Sequence, residues 1–323
     1  MDHLFFSGYK KRKLHKPLFL IGHPRSGTTF LHKFILKNTS EFKGMLLWEM
    51  IFPSIFLRRC VRPFLPFLAK KIPQGIYDSR IHETGLEEPE TDDVAMFFRS
   101  FAGMFYWLYF SAWHKYNNPE ELSKHLIKES EPNKVIGYLE NLHKKNLHKT
   151  EIRKRIFSKS FSLIMDISGV LKRFENARII VLLRDPMEVI PSSISLAVNI
   201  QKQLNDFDNL EEKKKQRYYQ NIYQASWVFF KYFDRQMSAD KSLKDNILIV
   251  THKQLKTRFE ETMIKICDYC EIEKSPEFMQ KIKMQAEKQP DFKSKHRYSL
   301  ETYGITKEKV LNDFDFIYAQ YDL

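Results

Sequence analysis

Short uncharged runs, each closed by glycine or a charged residue, alternate along this chain with longer segments of helical period. Pro17 to Gly22 (PLFLIG) is one such run, and it predicts a buried parallel strand. A turn follows over His23 to Thr29, and Phe30 to Lys37 (FLHKFILK) then carries apolar residues at helical spacing. Further strands are predicted at Arg155–Ser158 (RIFS), Arg178–Leu183 (RIIVLL) and Asn246–Thr251 (NILIVT). A helix from about Pro186 should follow the third strand, and one from Gln254 to Cys270 the fourth. Strands that alternate with helices predict an α/β fold of three layers: a central parallel β-sheet flanked by helices. About 130 residues of mostly helical pattern separate the first two strands. They read as a large helical insertion, roughly 41–150, within a single domain spanning 1–323. No repeat or low-complexity linker divides the chain.

Two apolar stretches raise the question of a membrane. Phe101 to Trp113 is uncharged, but a helix of that length spans only about 20 Å against a hydrocarbon core of about 30 Å. It is expected to be a buried helix. Met45 to Lys71 mixes Phe, Leu and Ile with Arg58, Arg59, Arg62, Lys70 and Lys71, a composition that suits a membrane surface, a lid over a substrate or plain core. The first residues are too interrupted by Lys, Arg and His to read as a secretory signal. The expected location is cytoplasmic, with peripheral attachment to a membrane surface left open.

The formal charge of +13 favours anionic partners, whether nucleic acid, acidic lipid or a phosphorylated small molecule. Three cysteines do not make a disulfide framework. Cys267 and Cys270 have C-x-x-C spacing, but no second Cys/His pair is near, so they read as buried thiols rather than a zinc or redox site.

The informative stretch is Gly22-His23-Pro24-Arg25-Ser26-Gly27-Thr28-Thr29. Its G-x-x-x-x-G spacing lets backbone N–H groups wrap a phosphate at a helix N-terminus, with hydroxyls from Thr28 and Thr29 as further donors. A nucleotide triphosphatase continues with lysine and then a hydroxyl residue that holds magnesium. Here Thr28 stands at the lysine position, and the cation lies inside the loop at Arg25.

The string PRSGTT resembles the 5′-phosphosulfate loop of the PAPS-dependent sulfotransferases, in the branch with arginine in the loop that includes many bacterial enzymes and the tyrosylprotein sulfotransferases. The resemblance implies a P-loop-type fold, sulfuryl transfer from PAPS to a hydroxyl acceptor with PAP as product, and phosphate contacts from Pro24, Arg25, Ser26, Gly27, Thr28 and Thr29. It also implies a second element for the 3′-phosphate: an arginine after a strand and a serine eight residues on. RIIVLLRDPMEVIPSSIS supplies Arg184 and Ser192, with Ser193 as near alternative. A guanidinium fork and a hydroxyl are fitting groups for phosphate oxygens. Arg184 could otherwise pair with Asp185. A third block, Phe292 to Leu300, resembles a C-terminal segment that closes over the nucleotide, with Lys293 and His296 as its contacts. The resemblance covers the framework strands and their loops; over Glu41 to Thr150 it is patchy.

Sulfuryl transfer needs cations beside the leaving oxygen and a base beside the acceptor. Arg25 is the expected first cation and Lys159 the second. Lys159 stands in RIFSKSF, which resembles the family's K-S-P or K-D-P turn with Phe161 in place of the proline. Glu49 and His82 compete as base, with Glu90 third. His82 opens a run with Glu83, Glu87, Glu88, Glu90, Asp92 and Asp93, carboxylates that raise its basicity or merely form an acidic helix start. No metal is expected, because Arg and Lys neutralise the charge.

The acceptor is expected to be a small, lipidic or carbohydrate hydroxyl compound, given the aromatic residues of the insertion such as Trp48, Phe97, Phe105 and Trp107. Nucleic acid is not an expected partner; a homodimer is allowed. Two rivals stand beside this reading. A P-loop nucleotide kinase would want a lysine in the loop, and a basic membrane- or nucleic-acid-binding module would not need Arg25, Lys159 and Arg184 each at a strand end.

Overall fold

The computed structural model describes residues 1–71, 85–101, 103–130, 132–289 and 299–323. In chain order, α1 (Asp2–Phe5) precedes β1 (Leu18–Gly22), α2 (Thr28–Asn38) and β2 (Phe42–Lys43). The insertion carries α3 (Leu47–Ile51), α4 (Ile55–Val61), α5 (Leu65–Lys71), α6 (Asp93–Ser100), α7 (Gly103–Tyr109), α8 (Pro119–Ser130) and α9 (Pro132–Asn146). The chain then returns through β3 (Arg155–Ser160), α10 (Ile167–Arg173), β4 (Arg178–Leu183), α11 (Pro186–Leu204), α12 (Glu212–Ala239) and β5 (Ile247–Thr251). It finishes with α13 (His252–Thr257), α14 (Phe259–Cys270), α15 (Pro276–Lys288), α16 (Lys307–Asp313) and α17 (Asp315–Tyr318).

Among the described residues five parallel strands form one sheet in the order β2-β3-β1-β4-β5. The uncharged runs become strands because both sheet faces are covered, so every residue of β1 is buried. Alternate side chains then divide two cores. Phe19, Ile21, Ile179, Val181 and Leu183 share one with α11 and α12. Leu18, Leu20, Ile180, Leu182 and Val250 share the other with α2, α14 and α15. Trp107, Leu122 and Leu139 of the insertion belong to the first core, packed with the sheet itself.

The helix starts are encoded locally. Asp185 accepts a hydrogen bond from Met187 N at 2.8 Å ahead of Pro186, and opens α11. Thr251 and Gln254 form a reciprocal capping box that turns β5 into α13.

Two expectations about helices are corrected. Gln254–Cys270 is not one helix, because Arg258 leaves helical geometry (φ −137°, ψ 51°) and separates α13 from α14. Phe101–Trp113 is not one buried helix either. Phe101 takes a left-handed conformation (φ 48°), Gly103 has φ 82°, and α7 ends before a short 3₁₀ turn at Ser111–Trp113. Phe101 and Phe110 are exposed. Cys267 and Cys270 are buried free thiols, and burial pushes the Cys267 thiol up to about 12. No described helix is long and apolar enough to cross a membrane.

Candidate active site

β1 is central, and the chain leaves it toward β2 whereas β4 leads on to β5, the opposite way. A crevice therefore opens at the C-terminal ends of β1 and β4, the place where parallel α/β sheets bind ligands. A cavity of about 2600 Å³ lies there. Its wall includes Pro24, Arg25, Gly27, Thr28, Thr29, Arg184, Ser192 and His252 from the strand ends, and Phe97, Phe105, Leu108 and Tyr109 from the insertion.

The loop after β1 has the shape an anion cradle needs. Gly27 has φ 97°, and Arg25 is left-handed too at φ 73°, uncommon for a residue with a side chain. A Cβ on Gly22 would stand 2.7 Å from Ser26 Oγ and 2.9 Å from Leu182 O, so the loop folds tightly against β4. The N–H groups of the first turn of α2 have no partner within the helix. Ser26 Oγ is fully buried with no hydrogen-bond partner among the described residues.

The loop and the end of β4 are bonded to each other. Arg184 Nη1 donates to Arg25 O at 2.7 Å, Arg25 Nε donates to Ser192 Oγ at 3.1 Å, and Ser193 Oγ donates to Pro24 O at 3.1 Å. Of the two serines, Ser192 is on the cavity wall and Ser193 is spent on the loop. Arg184 does not pair with Asp185, whose carboxylate caps α11 and accepts from Tyr318 Oη at 2.6 Å. It pairs with Glu188 at 3.0 Å instead. His23 Nδ1 donates to Pro24 O at 2.8 Å, and Nε2 lies 3.0 Å from Ser226 Oγ. Burial pushes His23 down to about 4, so the ring under the loop is neutral.

Lys159 lies one layer behind the cavity wall. It is buried at 1% exposure and donates to Thr29 Oγ1 at 3.1 Å and Glu90 Oε1 at 3.0 Å, both wall residues. The proline missing from its turn is replaced by a carboxylate. Asp93 accepts from Phe161 N at 2.7 Å and Ser162 N at 3.0 Å. Lys159 O accepts from Asp92 N at 2.8 Å, and Thr91 Oγ1 donates to Asp93 Oδ2 at 2.7 Å. Asp92 and Asp93 therefore clamp the end of β3.

Glu49 is turned away from the cavity. Its Oε2 accepts from Leu46 N at 3.1 Å, and Oε1 is 3.6 Å from Lys43 Nζ and 4.0 Å from Arg58 Nη1. Glu90 is the one of the three proposed bases that is described on the wall. His82, Lys293 and His296 lie outside the described residues.

Sequence reasoning passed over His252. It follows β5 directly, and its Cδ2 is 3.2 Å from the position of a Cβ on Gly27. Burial first and Arg184 second push it down to about 4. A rule that inspects the residue after every parallel strand would have found it. Lys33, Lys256, Lys281 and Lys288 add cations to the same half of the wall.

Residues 17–276 match the Sulfotransferase family, well over half of the chain. The chain belongs to the sulfotransferase family. Over 204 residues it is 24% identical to the omega-hydroxy-beta-dihydromenaquinone-9 sulfotransferase Stf3 of Mycobacterium bovis and of Mycobacterium tuberculosis, a match covering 61% of this chain. The chain spans about half the length of these curated relatives, 50% in each case. The fold is that of the sulfotransferase STF9 from Mycobacterium avium (TM-score 0.76, 17% identity, 99% of this chain and 80% of that one). STF1 from Mycobacterium tuberculosis shares it (TM-score 0.66, 18% identity, 97% and 80%).

Proposed function

We propose that this protein transfers a sulfuryl group from PAPS to the hydroxyl of a lipid-like acceptor, releasing PAP. The observation that carries the reading is the direct bonding of the loop after β1 to the end of β4 through Arg25, Arg184 and Ser192. Two phosphate-fitting groups on adjacent strands match the two phosphorylated ends of an adenosine bisphosphate, which ATP lacks. The buried orphan Ser26 hydroxyl and the glycine cradle fit the 5′ end. Arg184 and Ser192 fit the 3′-phosphate.

The residues divide the chemistry. The α2 N-terminus, Arg25 and the Thr28 and Thr29 hydroxyls hold the phosphosulfate and stabilise charge that grows on its oxygens. Lys159 is a positioning residue in this scheme. Its ammonium donates to Thr29 Oγ1, which turns that hydroxyl's own proton outward as a donor. It also donates to Glu90 Oε1, which already accepts from Thr91 N at 2.8 Å, and so fixes that carboxylate at the cavity wall. Glu90 is the assigned base. Glu49 has no part in proton removal.

The lipid-like acceptor is supported by the wall of α6 and α7, where Phe97, Phe98, Met104, Phe105 and Leu108 face the cavity, and by the menaquinone-derived substrate in the name of the curated relatives. Calorimetric titration with PAP, PAPS and ATP in the absence of magnesium tests the donor. Selective binding of PAP and PAPS is expected; preference for ATP would return the nucleotide kinase. Transfer of labelled sulfate from PAPS to a long-chain prenol, compared with a sugar, tests the acceptor.

A further inference from the structure

The first helix and the start of the insertion are tied together, and both carry exposed apolar side chains. Asp2 ties them together: its carboxylate accepts from Ser54 Oγ at 2.7 Å, Ile55 N at 3.0 Å and Phe56 N at 3.1 Å, and it pairs with Lys145 at 2.9 Å. Arg59 lies over the Phe6 ring at 4.4 Å. The outward side chains are then apolar. Leu4 is 79% exposed, Phe5 66%, Phe64 62% and Phe67 58%, and Phe56 and Leu57 of α4 are exposed as well. Exposed apolar side chains gathered in this way mark an interaction face rather than ordinary surface.

The exposed charges on its own segments have one sign. Arg59, Arg62 and Lys70 are exposed among these side chains, and Lys10, Lys11 and Lys13 are exposed on the segment after α1. From Met1 to Lys16 and from Met50 to Lys71, Asp2 is the sole carboxylate in the sequence, and it is buried and committed. The surface also adjoins the cavity, since Leu47 and Ile51 of α3 and Ala69 of α5 line it.

We propose that α1, α4 and the segment carrying Phe64 and Phe67 dock the protein on an anionic lipid bilayer, so that the acceptor half of the cavity meets the membrane. Phe and Leu enter the acyl boundary while the arginines and lysines stay at the headgroups. A protein partner would have to supply an acidic, apolar surface of matching shape; a bilayer of acidic lipid supplies both features without one. Docking itself does not depend on sulfuryl transfer. The delivery of a lipid alcohol from that membrane rests on the function proposed above.

Sedimentation of the full chain with vesicles tests the proposal. Vesicles of phosphatidylcholine mixed with phosphatidylglycerol should bind it, pure phosphatidylcholine much less, and binding should weaken with salt. Phe64→Ser with Phe67→Ser should weaken binding roughly tenfold or more. Arg59→Gln with Arg62→Gln should cost roughly tenfold on acidic vesicles only. Both pairs should keep the PAP affinity of the unaltered chain, which shows that they fold. Absence of binding to acidic vesicles, or binding untouched by both pairs, overturns the proposal. So does a concentration-dependent dimer that Phe64→Ser and Phe67→Ser dissociate, because the face would then belong to a second copy. If the unaltered chain binds vesicles but not PAP, the transferase reading falls and the docking face stands.

Discussion

At the strand ends Arg25, Arg184 and Lys159 are each fixed by a partner from another element, whereas the aromatic side chains of the wall opposite, on α6 and α7, pack against one another. Arg25 is bonded to α11, Arg184 to the loop, and Lys159 to both α2 and Glu90. Across the cavity, Phe97 packs edge-on against Phe101 and Tyr109, and Phe105 stacks on Tyr109. Hydrogen bonds are directional and fix atoms; ring packing fixes shape. Under the proposed function, the strand ends would discriminate by the pattern of phosphates, and the wall of α6 and α7 by size and apolarity.

The strongest attempt to break this division is Glu90→Gln. Turnover should fall on the order of 10²–10⁴-fold, with PAP affinity unchanged; a matching loss of PAP affinity would place Glu90 in the donor half instead. Lys159→Met should also abolish turnover. In addition it should lower stability by about 3–5 kcal/mol, because the buried ion pair with Glu90 is broken; thermal melts read this. Arg184→Ala should weaken PAP by about 1.5–3 kcal/mol, the worth of a charge-assisted hydrogen bond, and leave the acceptor KM at saturating donor unchanged.

Acid should act through the donor half. Burial pushes His23 and His32 down to about 4 from about 6.5, with Lys159 a second cause for His32. Between those values the unfolded chain takes up a proton that the folded one refuses. Stability from these rings is thus complete above about 6.5 and is lost as pH falls toward 4, at about 1.4 kcal/mol per pH unit for each ring. Urea midpoints measured at neutral pH and near pH 5 check the sign. Phe105→Ala should raise the acceptor KM by about 1–2 kcal/mol in equivalent energy, with PAP binding untouched. Smallest is Glu188→Gln, which removes the anion beside Arg184 and should tighten PAP by a few tenths of a kcal/mol.

The placement of Arg25 and Arg184 at strand ends was legible in the sequence because it is written in contiguous residues. An apolar run followed by a glycine-spaced loop, or by arginine and proline, places a group at a strand end without knowledge of any distant contact. Asp93 and Phe161 are brought together only by folding, as are Glu90 and Lys159. The acidic run was visible as charge, but nothing local tells whether it faces His82, solvent or the end of β3. The orientation of Glu49 was hidden for a related reason. It sits in a five-residue helix, too short for periodicity to say which way its carboxylate turns. Phe101–Trp113 was read by composition alone, although Gly103 interrupts it at the residue that takes positive φ.

Trp107, Leu122 and Leu139 sit in the same core as β1, and this restrains how new specificity can arise. The wall of α6 and α7 is no detachable cassette: grafting it from a homologue would open voids beneath the sheet. Variation has to proceed by substitutions on the inward faces of α6 and α7, one rim at a time. A library confined to those faces is therefore the economical way to retarget the enzyme.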